Sequence, residues 1–397
     1  MEKVLARRSD RSIAKNSQFG EAIANLDNST SDAVGLPAEA YTSEEFLQRE
    51  RDSIFTNRWI CVGLGTDLPN VGDLFPVDVA GMPIVLVRTD RGEIRAFHNI
   101  CSHRGLQLVT KPCQQQKRIR CPYHSWAYDL EGQLKTTPHF GGYWQDTYEG
   151  FDLASKNLQS IKCGQWLELI FINLGNNAPP LKDYLQPVID RWSVYDLSLL
   201  RFGRELKFEF EANWKLAVEN FSESYHLPWV HPQLNNCSRM EDHFGFEVGN
   251  HIGQGSKLYR IGAIGDRTLP VFPNLQATER ETVAEYISVF PNLMLGVHPD
   301  YFLALLVDPL SPSRSVERMA FYFVGDGATD EKYKALRQIP IDLWKITNDE
   351  DLETIERLQK GRHSPAFKGG CFSPALETTV HHFQRLVAEA IANKNGK

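Results

Sequence analysis

The sequence contains no long apolar run, which excludes one class of protein at the outset. None of its apolar stretches approaches the roughly 20 residues that span a bilayer, so we expect no membrane partner. The first ten residues, Met-Glu-Lys-Val-Leu-Ala-Arg-Arg-Ser-Asp, lack the apolar core of a secretory signal. An apolar fraction of 42% and a charged fraction of 23% are typical of a soluble globular protein, and 397 residues suffice for two or three domains.

Basic charge and cysteine are also scarce. The formal net charge is −7 and no basic stripe runs through the chain, so we expect no nucleic-acid partner. The seven cysteines are an odd number and no signal sequence precedes them, which indicates a reducing cytoplasm. In that compartment, regularly spaced cysteines bind metal more often than they form disulfides.

Two cysteine–histidine pairs carry the most specific signal in the chain. Cys101-Ser-His103 is followed after seventeen residues by Cys121-Pro-Tyr-His124. A structural Cys₂His₂ zinc site uses the same ligand types, but a zinc finger places its cysteines together and its histidines after them. One cysteine and one histidine on each loop is the arrangement of a Rieske [2Fe–2S] centre. The other cysteines have no partner spacing, and we interpret them as ordinary thiols: Cys61, Cys113, Cys163, Cys237 and Cys371.

A second candidate metal site lies in residues 213–231. On an α-helix, the spacing of Glu219, Glu223 and His226 places all three side chains on one face. Pro228 is predicted to end this helix, and His231 follows where the chain turns back. Carboxylates in an apolar setting are paired or bind metal. A helix end with satisfied core histidines is the structural alternative.

The remaining sequence predicts the order of the elements. Residues 1–36 are polar and read as an arm or strap. Thr42 and Glu45 form a capping box that opens a helix, and short β-like runs follow between Trp59 and Ile172. Further β-like segments return between residues 286 and 324, and Thr347 with Glu350 is predicted to cap a helix that runs to Gly361.

With these motifs in view, the sequence resembles the large (α) subunits of Rieske non-haem iron oxygenases over nearly its whole length. Cys101, His103, Cys121 and His124 match the cluster motif of that family, and the segment from Glu219 to His231 resembles its mononuclear iron motif. The resemblance implies a Rieske cluster and a mononuclear Fe(II), the latter held by His226, His231 and a downstream aspartate. Asp351 fits that place and Asp349 competes with it. The family usually has glycine where this chain has Ser125.

The resemblance also implies an assembly and an electron source. Glu223 would bridge His226 to His124 of a neighbouring subunit, in a head-to-tail ring that we expect to be a trimer. No nucleotide-binding glycine loop is visible, so electrons from NAD(P)H would arrive through a separate flavin- and iron–sulfur-containing reductase. We interpret Glu219 as a structural hydrogen-bonding group near the iron.

The expected fold class is α+β. It combines an antiparallel Rieske β domain with a catalytic domain whose helices cover one face of an antiparallel sheet, as in a helix-grip fold. We divide the chain into an arm over residues 1–40, a Rieske domain with its leading helix over 41–175, and a mononuclear iron domain over 176–397.

Three functions fit this reading. Most ring-hydroxylating members of the family carry aspartate where this chain has Glu223; glutamate resembles the subgroup that oxidises quaternary ammonium compounds such as betaines, with hydroxylation leading to N-demethylation. Hydroxylation of an aromatic ring or aryl ether is the alternative, and a Rieske electron carrier without catalysis is the third. Aromatic faces bind trimethylammonium groups, which makes Phe221, Tyr225 and Trp229 the candidate substrate residues. His298 and Asp300 are candidates for the border of the pocket.

Overall fold

The computed structural model describes residues 20, 24–79, 81–236, 238–275 and 283–392, which divide into two compact units. The β unit is Phe55–Leu185. The α+β unit combines the described residues up to Ile54 with those from Gln186 onward. The first part of the predicted arm, residues 1–19 and 21–23, lies outside the described residues.

A six-stranded antiparallel sheet forms the framework of the β unit, with the strand order β1-β9-β8-β4-β3-β2. Its strands are β1 (Ile60–Leu64), β2 (Leu74–Val79), β3 (Met82–Arg88), β4 (Ile94–His98), β8 (Ser160–Trp166) and β9 (Leu169–Asn173). A three-stranded sheet of β5 (Ile119–Arg120), β6 (Ala127–Tyr128) and β7 (Leu134–Thr136) lies between β4 and β8 in the chain. One cysteine–histidine pair follows β4, and the other lies on the connection from β5 to β6.

A seven-stranded antiparallel sheet is the centre of the α+β unit, with the order β10-β18-β17-β16-β15-β12-β11. Its strands are β10 (Leu200–Phe210), β11 (His243–Val248), β12 (His251–Ser256), β15 (Ala284–Val289), β16 (Leu293–Val297), β17 (Tyr301–Ser311) and β18 (Arg314–Val324). The first seven residues of β17 are all buried, as expected of a strand that is covered on both faces. A two-stranded ribbon, β13 (Ala263–Ile264) and β14 (Arg267–Thr268), lies apart from this sheet.

The helices have the following bounds. They are α1 (Glu39–Thr42), α2 (Glu44–Glu50), α3 (Leu181–Arg191), α4 (Trp214–Phe221), α5 (Leu227–Val230), α6 (Pro232–Asn235), α7 (Lys334–Arg362) and α8 (Thr378–Ala392). Helix α4 contacts β17 and α7, and α8 contacts β11 and β12. These contacts place the helices of the α+β unit against its sheet, and the predicted α+β fold is confirmed.

The helix predicted to carry Glu219, Glu223 and His226 is shorter than its pattern suggests. Asn213 caps α4, and the helix ends at Phe221, before Glu223. Side chains bind the carbonyl groups that a longer helix would use: Gln254 donates to Phe221 O at 2.7 Å, and Thr379 donates to Ser222 O at 2.6 Å. Pro228 lies in the first turn of α5, where a proline is well tolerated, so the prediction that it ends the helix was wrong.

The helix predicted to begin at Thr347 begins instead at Lys334. Helix α7 has 29 residues and continues through Pro340. Proline removes one helical hydrogen bond, but Leu336, Ile341 and Ile355 are buried along this helix and stabilise it by packing. Asp351 therefore lies in the middle of a helix rather than in the first turn that a start at Thr347 would give it.

The segment before the β unit packs within the α+β unit. Ser43 rather than Thr42 caps α2, because its hydroxyl accepts from Phe46 N. Two residues of this segment are tied to the rest of the unit: Glu50 forms a buried ion pair with Lys215 at 2.5 Å, and Tyr41 donates to Glu219 at 2.7 Å. The leading helix that we predicted with the Rieske domain thus groups with the other unit.

The same segment also contacts α8. Leu36 N donates to Gln384 Oε1 at 2.7 Å, and Thr30 Oγ1 lies 3.0 Å from His381 Nδ1. Within the described part of the chain, none of the helices is both long enough and apolar enough to cross a membrane.

Two candidate metal centres and a cavity

The two cysteine–histidine loops of the β unit are built alike. Cys101 O accepts from Gly105 N at 2.8 Å, and Cys101 N donates to Leu106 O at 2.8 Å. In the second loop, Cys121 O accepts from Ser125 N at 3.0 Å, and Cys121 N donates to Trp126 O at 2.8 Å. Each cysteine therefore closes a tight loop of the same length, and its histidine lies within that loop.

Both loops require a left-handed backbone at the same place. The φ angle is +73° at Gly105 and +58° at Ser125. Glycine adopts this conformation without cost, whereas a side chain makes it unfavourable. The serine that we noted as a departure from the family pattern thus occupies a position that favours glycine.

The loops bring the four predicted cluster ligands together. The rings of His103 and His124 are 4.7 Å apart, and both thiols are buried in the apolar core of the unit. Burial raises the pKa of the Cys101 thiol, and the nearby Cys121 adds to this rise. His103 Nδ1 is buried and has no hydrogen-bond partner among the described residues. Two thiols and two imidazoles, one with an unsatisfied buried nitrogen, fit a [2Fe–2S] cluster with mixed ligands.

Neighbouring side chains shelter this site. His103 stacks on Trp126 at 4.7 Å with an interplanar angle of 10°. Tyr128 Oη lies 3.3 Å from Cys101 Sγ and accepts from Ser102 N at 3.1 Å. Burial raises the pKa of Tyr128 well above its usual range, so its hydroxyl keeps its proton near neutral pH. His124 is exposed, so one edge of the site is open to solvent.

The second candidate centre consists of His226, His231 and Asp351. Their nearest ligand atoms all lie within 4.8 Å of one another. Asp351 Oδ1 is 2.8 Å from His231 Nε2 and 3.6 Å from His226 Nε2. Two histidines and one carboxylate form the facial triad of non-haem Fe(II) oxygenases, which leaves further positions on the metal open. The donor set fits an iron site.

A carboxylate holds the far nitrogen of each histidine. Glu223 Oε1 is 2.5 Å from His226 Nδ1, and Glu350 Oε2 is 2.6 Å from His231 Nδ1. Burial alone would lower the pKa of His231, but the carboxylates of Asp351 and Glu350 outweigh it and raise that pKa. These contacts fix both rings with Nε2 toward Asp351, the orientation that a metal-binding histidine needs.

Two other predicted residues lie elsewhere. Glu219 is buried between Tyr41 Oη at 2.7 Å and Gln384 Nε2 at 3.1 Å, so its hydrogen bonds are structural, and it does not line the cavity described below. Asp349, the competitor of Asp351, is half exposed and pairs with Lys345 at 2.6 Å.

A cavity of about 140 Å³ adjoins the candidate iron site, since His226, His231 and Asp351 line it. This is close to the roughly 150 Å³ of an engineered apolar cavity that binds benzene, so the cavity suits a small molecule. Among the predicted substrate residues, Phe221 lines it. Tyr225 and Trp229 do not line it, and these residues are 43% and 69% exposed. The cavity lining therefore does not support the prediction that Tyr225 and Trp229 bind the substrate.

Aromatic side chains from three strand or loop segments and from α7 form one wall of the cavity. This wall consists of Tyr259, Tyr286, His298, Tyr301 and Trp344. Trp344 Nε1 donates to Tyr301 Oη at 2.7 Å, and the rings of Tyr259 and Tyr286 lie 4.8 and 5.4 Å from that of His298. No motif or periodicity marks Tyr259, Tyr286 or Trp344 in the sequence, since the fold alone brings them together.

Asp300 is a buried acidic residue that lines the cavity beside this wall. It is 1% exposed, and Tyr259 Oη donates to its Oδ1 at 3.0 Å. Burial raises the pKa of Asp300 to about 6, and within the described part of the chain no basic side chain contributes to this shift. Above that pH the carboxylate is charged within an aromatic cavity.

The two units match known domains. Residues 58–151 match the Rieske [2Fe-2S] domain, and residues 197–393 match the ring hydroxylating alpha subunit (catalytic domain). The chain belongs to the Rieske non-haem iron oxygenases. Its cofactors are therefore a Rieske [2Fe–2S] cluster and a mononuclear iron, and it is an O₂-dependent oxidoreductase.

Relatives named for quaternary ammonium substrates resemble most of the chain. The glycine betaine monooxygenase oxygenase subunit of Chromohalobacter salexigens is 27% identical over 382 residues, which cover 88% of this chain and 84% of that protein. The carnitine monooxygenase oxygenase subunit of Escherichia coli (strain K12) is 27% identical over 374 residues, 90% and 94% of the two chains.

Solved structures show the same fold. The quaternary ammonium Rieske monooxygenase CntA in complex with L-carnitine superimposes with a TM-score of 0.74 at 25% identity, over 93% of this chain and 97% of that one. Naphthalene 1,2-dioxygenase from Rhodococcus sp. gives 0.74 at 20% identity, over 95% and 98%.

Proposed function

We propose that this protein is the terminal oxygenase that hydroxylates an N-methyl group of a betaine-type quaternary ammonium compound, which leads to N-demethylation. Cys101, His103, Cys121 and His124 would hold the cluster, and His226, His231 and Asp351 would hold the iron. When bound, the cluster supplies single electrons and the iron supplies the chemistry that activates dioxygen.

One observation carries the choice of substrate class. Asp300 is a buried carboxyl in an aromatic cavity, and among the described residues no basic side chain shifts its pKa. A buried charge is costly unless it is paired. A quaternary ammonium group would supply the missing positive charge and would also interact favourably with the faces of the surrounding rings.

A basic residue at the cavity supports a zwitterionic substrate. Of the described residues that line the cavity, Arg260 is the one lysine or arginine, and its side chain is exposed. A betaine carries a carboxylate as well as an ammonium group. Asp300 and Arg260 would attract the two opposite charges of such a molecule, and the names of the relatives point to the same class.

The reaction balances with electrons from outside the chain. One N-methyl group, O₂, two electrons and two protons give the N-hydroxymethyl compound and water. The N-hydroxymethyl carbon–nitrogen bond then breaks, and the products are a tertiary amine, formaldehyde and one proton. NAD(P)H would supply the two electrons through a flavin- and iron–sulfur-containing reductase.

The assembly is part of the proposal. We place Glu223 as a bridge that holds His226 with one oxygen and reaches His124 of a neighbouring subunit in a head-to-tail trimer. The exposure of His124 and the 2.5 Å contact between Glu223 and His226 support this. The seven cysteines are an odd number, which supports a reducing compartment, and we place the protein in the cytoplasm.

Hydroxylation of a small aromatic ring or aryl ether is the alternative, because the cavity lining is mostly apolar and its volume suits one ring. A neutral ring would leave Asp300 charged and unpaired, which weighs against it. An electron carrier without catalysis would need neither the histidine–aspartate triad nor the cavity.

Oxygen uptake by the iron-loaded protein with a matched reductase and NADH tests the proposal. The panel would contain glycine betaine, proline betaine, carnitine, choline and several aromatic acids, with formaldehyde measured in parallel. We expect uptake with formaldehyde for a betaine. Uptake with an aromatic acid and none with the ammonium compounds would overturn the proposal in favour of the alternative.

A further inference from the structure

His298 lies within the aromatic wall of the cavity and is 2% exposed. It follows β16, and its ring stacks on Tyr301 at 4.0 Å with an interplanar angle of 12°. Tyr259 and Tyr286 lie within 5.4 Å of it on other sides. The imidazole is therefore held in place by rings and faces the same cavity as Asp300.

Neither nitrogen of this imidazole has a hydrogen-bond partner among the described residues. Burial lowers the pKa of His298 to about 3, so the ring is neutral and offers one N–H donor and one acceptor. Leaving such a buried group without a hydrogen-bond partner is unfavourable. Because the ring borders the cavity, a molecule within the cavity can supply the partner.

The polar groups on this wall differ in what they can bind. The Asp300 carboxylate attracts a cation but repels an anionic oxygen. The neutral His298 does not oppose a cation, and its N–H can donate to a carboxylate or hydroxyl oxygen. A quaternary ammonium group itself has no hydrogen-bonding atom, so it cannot satisfy His298.

We propose that His298 is a specificity-determining residue that donates a hydrogen bond to an oxygen carried by the substrate near its quaternary nitrogen. This inference rests on the proposed function and deepens it. It predicts that the site selects ammonium compounds with a carboxylate or hydroxyl oxygen over simple tetraalkylammonium ions. Stacking between His298 and Tyr301 is the purely structural alternative, and it predicts no such selection.

Binding calorimetry with the metal-loaded full chain tests the inference. The ligands would be glycine betaine and tetramethylammonium, which shares the ammonium group but has no oxygen. His298→Phe keeps a ring of similar shape without nitrogen atoms, and His298→Gln restores an N–H donor. Tyr225→Phe, on the exposed surface, is the control.

We expect His298→Phe to weaken glycine betaine binding by about 10- to 100-fold, the effect of losing one hydrogen bond to a charged acceptor. Its affinity for tetramethylammonium should stay within about twofold of the wild-type value, and His298→Gln should recover most of the loss for glycine betaine. Absorbance of the cluster and circular dichroism would establish that each variant is folded.

Three outcomes would overturn the inference, and they are distinguishable. Equal losses for both ligands in both variants would assign the ring a structural role. Unchanged binding of both ligands would show that His298 contacts no substrate oxygen. Wild-type protein that binds neither ligand would contradict the proposed function, and the inference would fail with it.

Discussion

Asp300 is the residue on which the proposed substrate class depends most. The substitution Asp300→Asn keeps the size and removes the charge, so we expect affinity for glycine betaine to fall by about 10- to 100-fold. In the wild-type protein, protonation of this carboxyl below its pKa of about 6 should have the same effect, so affinity should rise as pH increases through 6. Calorimetry across this pH range measures both effects.

Tyr259, Tyr301 and His298 on the same wall do not titrate in that range. Burial raises the pKa values of Tyr259 and Tyr301 well above 10 and lowers the pKa of His298 to about 3. Asp300→Asn should therefore lose the part of the pH dependence that is centred near 6. A variant that kept both the wild-type affinity and the wild-type pH profile would contradict the role of Asp300.

The backbone conformation at Ser125 leads to a separate prediction about stability. Its φ angle of +58° is unfavourable for a side chain, so Ser125→Gly should raise the free energy of unfolding of the β unit by about 1 kcal/mol. Ser125→Ala keeps the side-chain strain and should resemble wild type. Urea unfolding followed by cluster absorbance measures the difference. If the glycine variant were no more stable than the alanine variant, the strain would be absent.

At the residue scale, the sequence named the candidate metal ligands by their spacing, and at the cavity it named His298 and Asp300 but not the other aromatic residues of the wall. Cysteine and histidine types at fixed spacing restrict the chemistry strongly, because few metal sites use that set. Tyr259, Tyr286 and Trp344 are ordinary aromatics at unrelated positions, and only the loop after β12, the register of β15 and the path of α7 bring them to the cavity that Asp300 also lines.

At the element scale, helix α7 positions Asp351 toward the cavity and Glu350 toward His231. Glu350→Ala should lower the Fe(II) affinity of the metal-free protein by about 10- to 100-fold, because His231 loses the group that orients it. Asp349→Ala on the same helix should leave the affinity unchanged, since Asp349 pairs with Lys345. Metal titration measures both. A larger loss of Fe(II) affinity for the Asp349 variant than for the Glu350 variant would contradict the assignment of Glu350 as the residue that orients His231.

Element boundaries were the least predictable part of the fold. The signals at Pro228 and Pro340 are local, whereas the ends of α4 and α7 depend on tertiary contacts. Gln254 and Thr379, both distant in sequence, bind carbonyl groups at the end of α4, and no pattern in residues 213–231 contains that information. The β-rich and helical regions themselves were predicted because the alternation of apolar and polar residues is local, whereas both predicted caps, at Thr42 and Thr347, were wrong.

At the scale of the whole molecule, Glu223 tests the proposed assembly. We expect light scattering to give the mass of a trimer for the wild type, Glu223→Asp and Glu223→Gln. In single-turnover experiments at saturating iron, the glutamine variant should oxidise its reduced cluster about 10- to 100-fold more slowly, because a carboxylate no longer orients His226. The aspartate variant should stay closer to wild type. A monomeric active enzyme, or rapid cluster oxidation in the glutamine variant, would contradict the bridge.

The fate of the substrate methyl group tests the central claim most directly. The iron-loaded protein would turn over glycine betaine labelled with ¹³C in its methyl groups, with reductase and NADH, while oxygen consumption and labelled formaldehyde are measured together. We expect one labelled formaldehyde and one dimethylated amine for each O₂ consumed, and neither product from Asp351→Ala. Oxygen consumption without labelled formaldehyde, or equal product from the Asp351 variant, would contradict demethylation at this site.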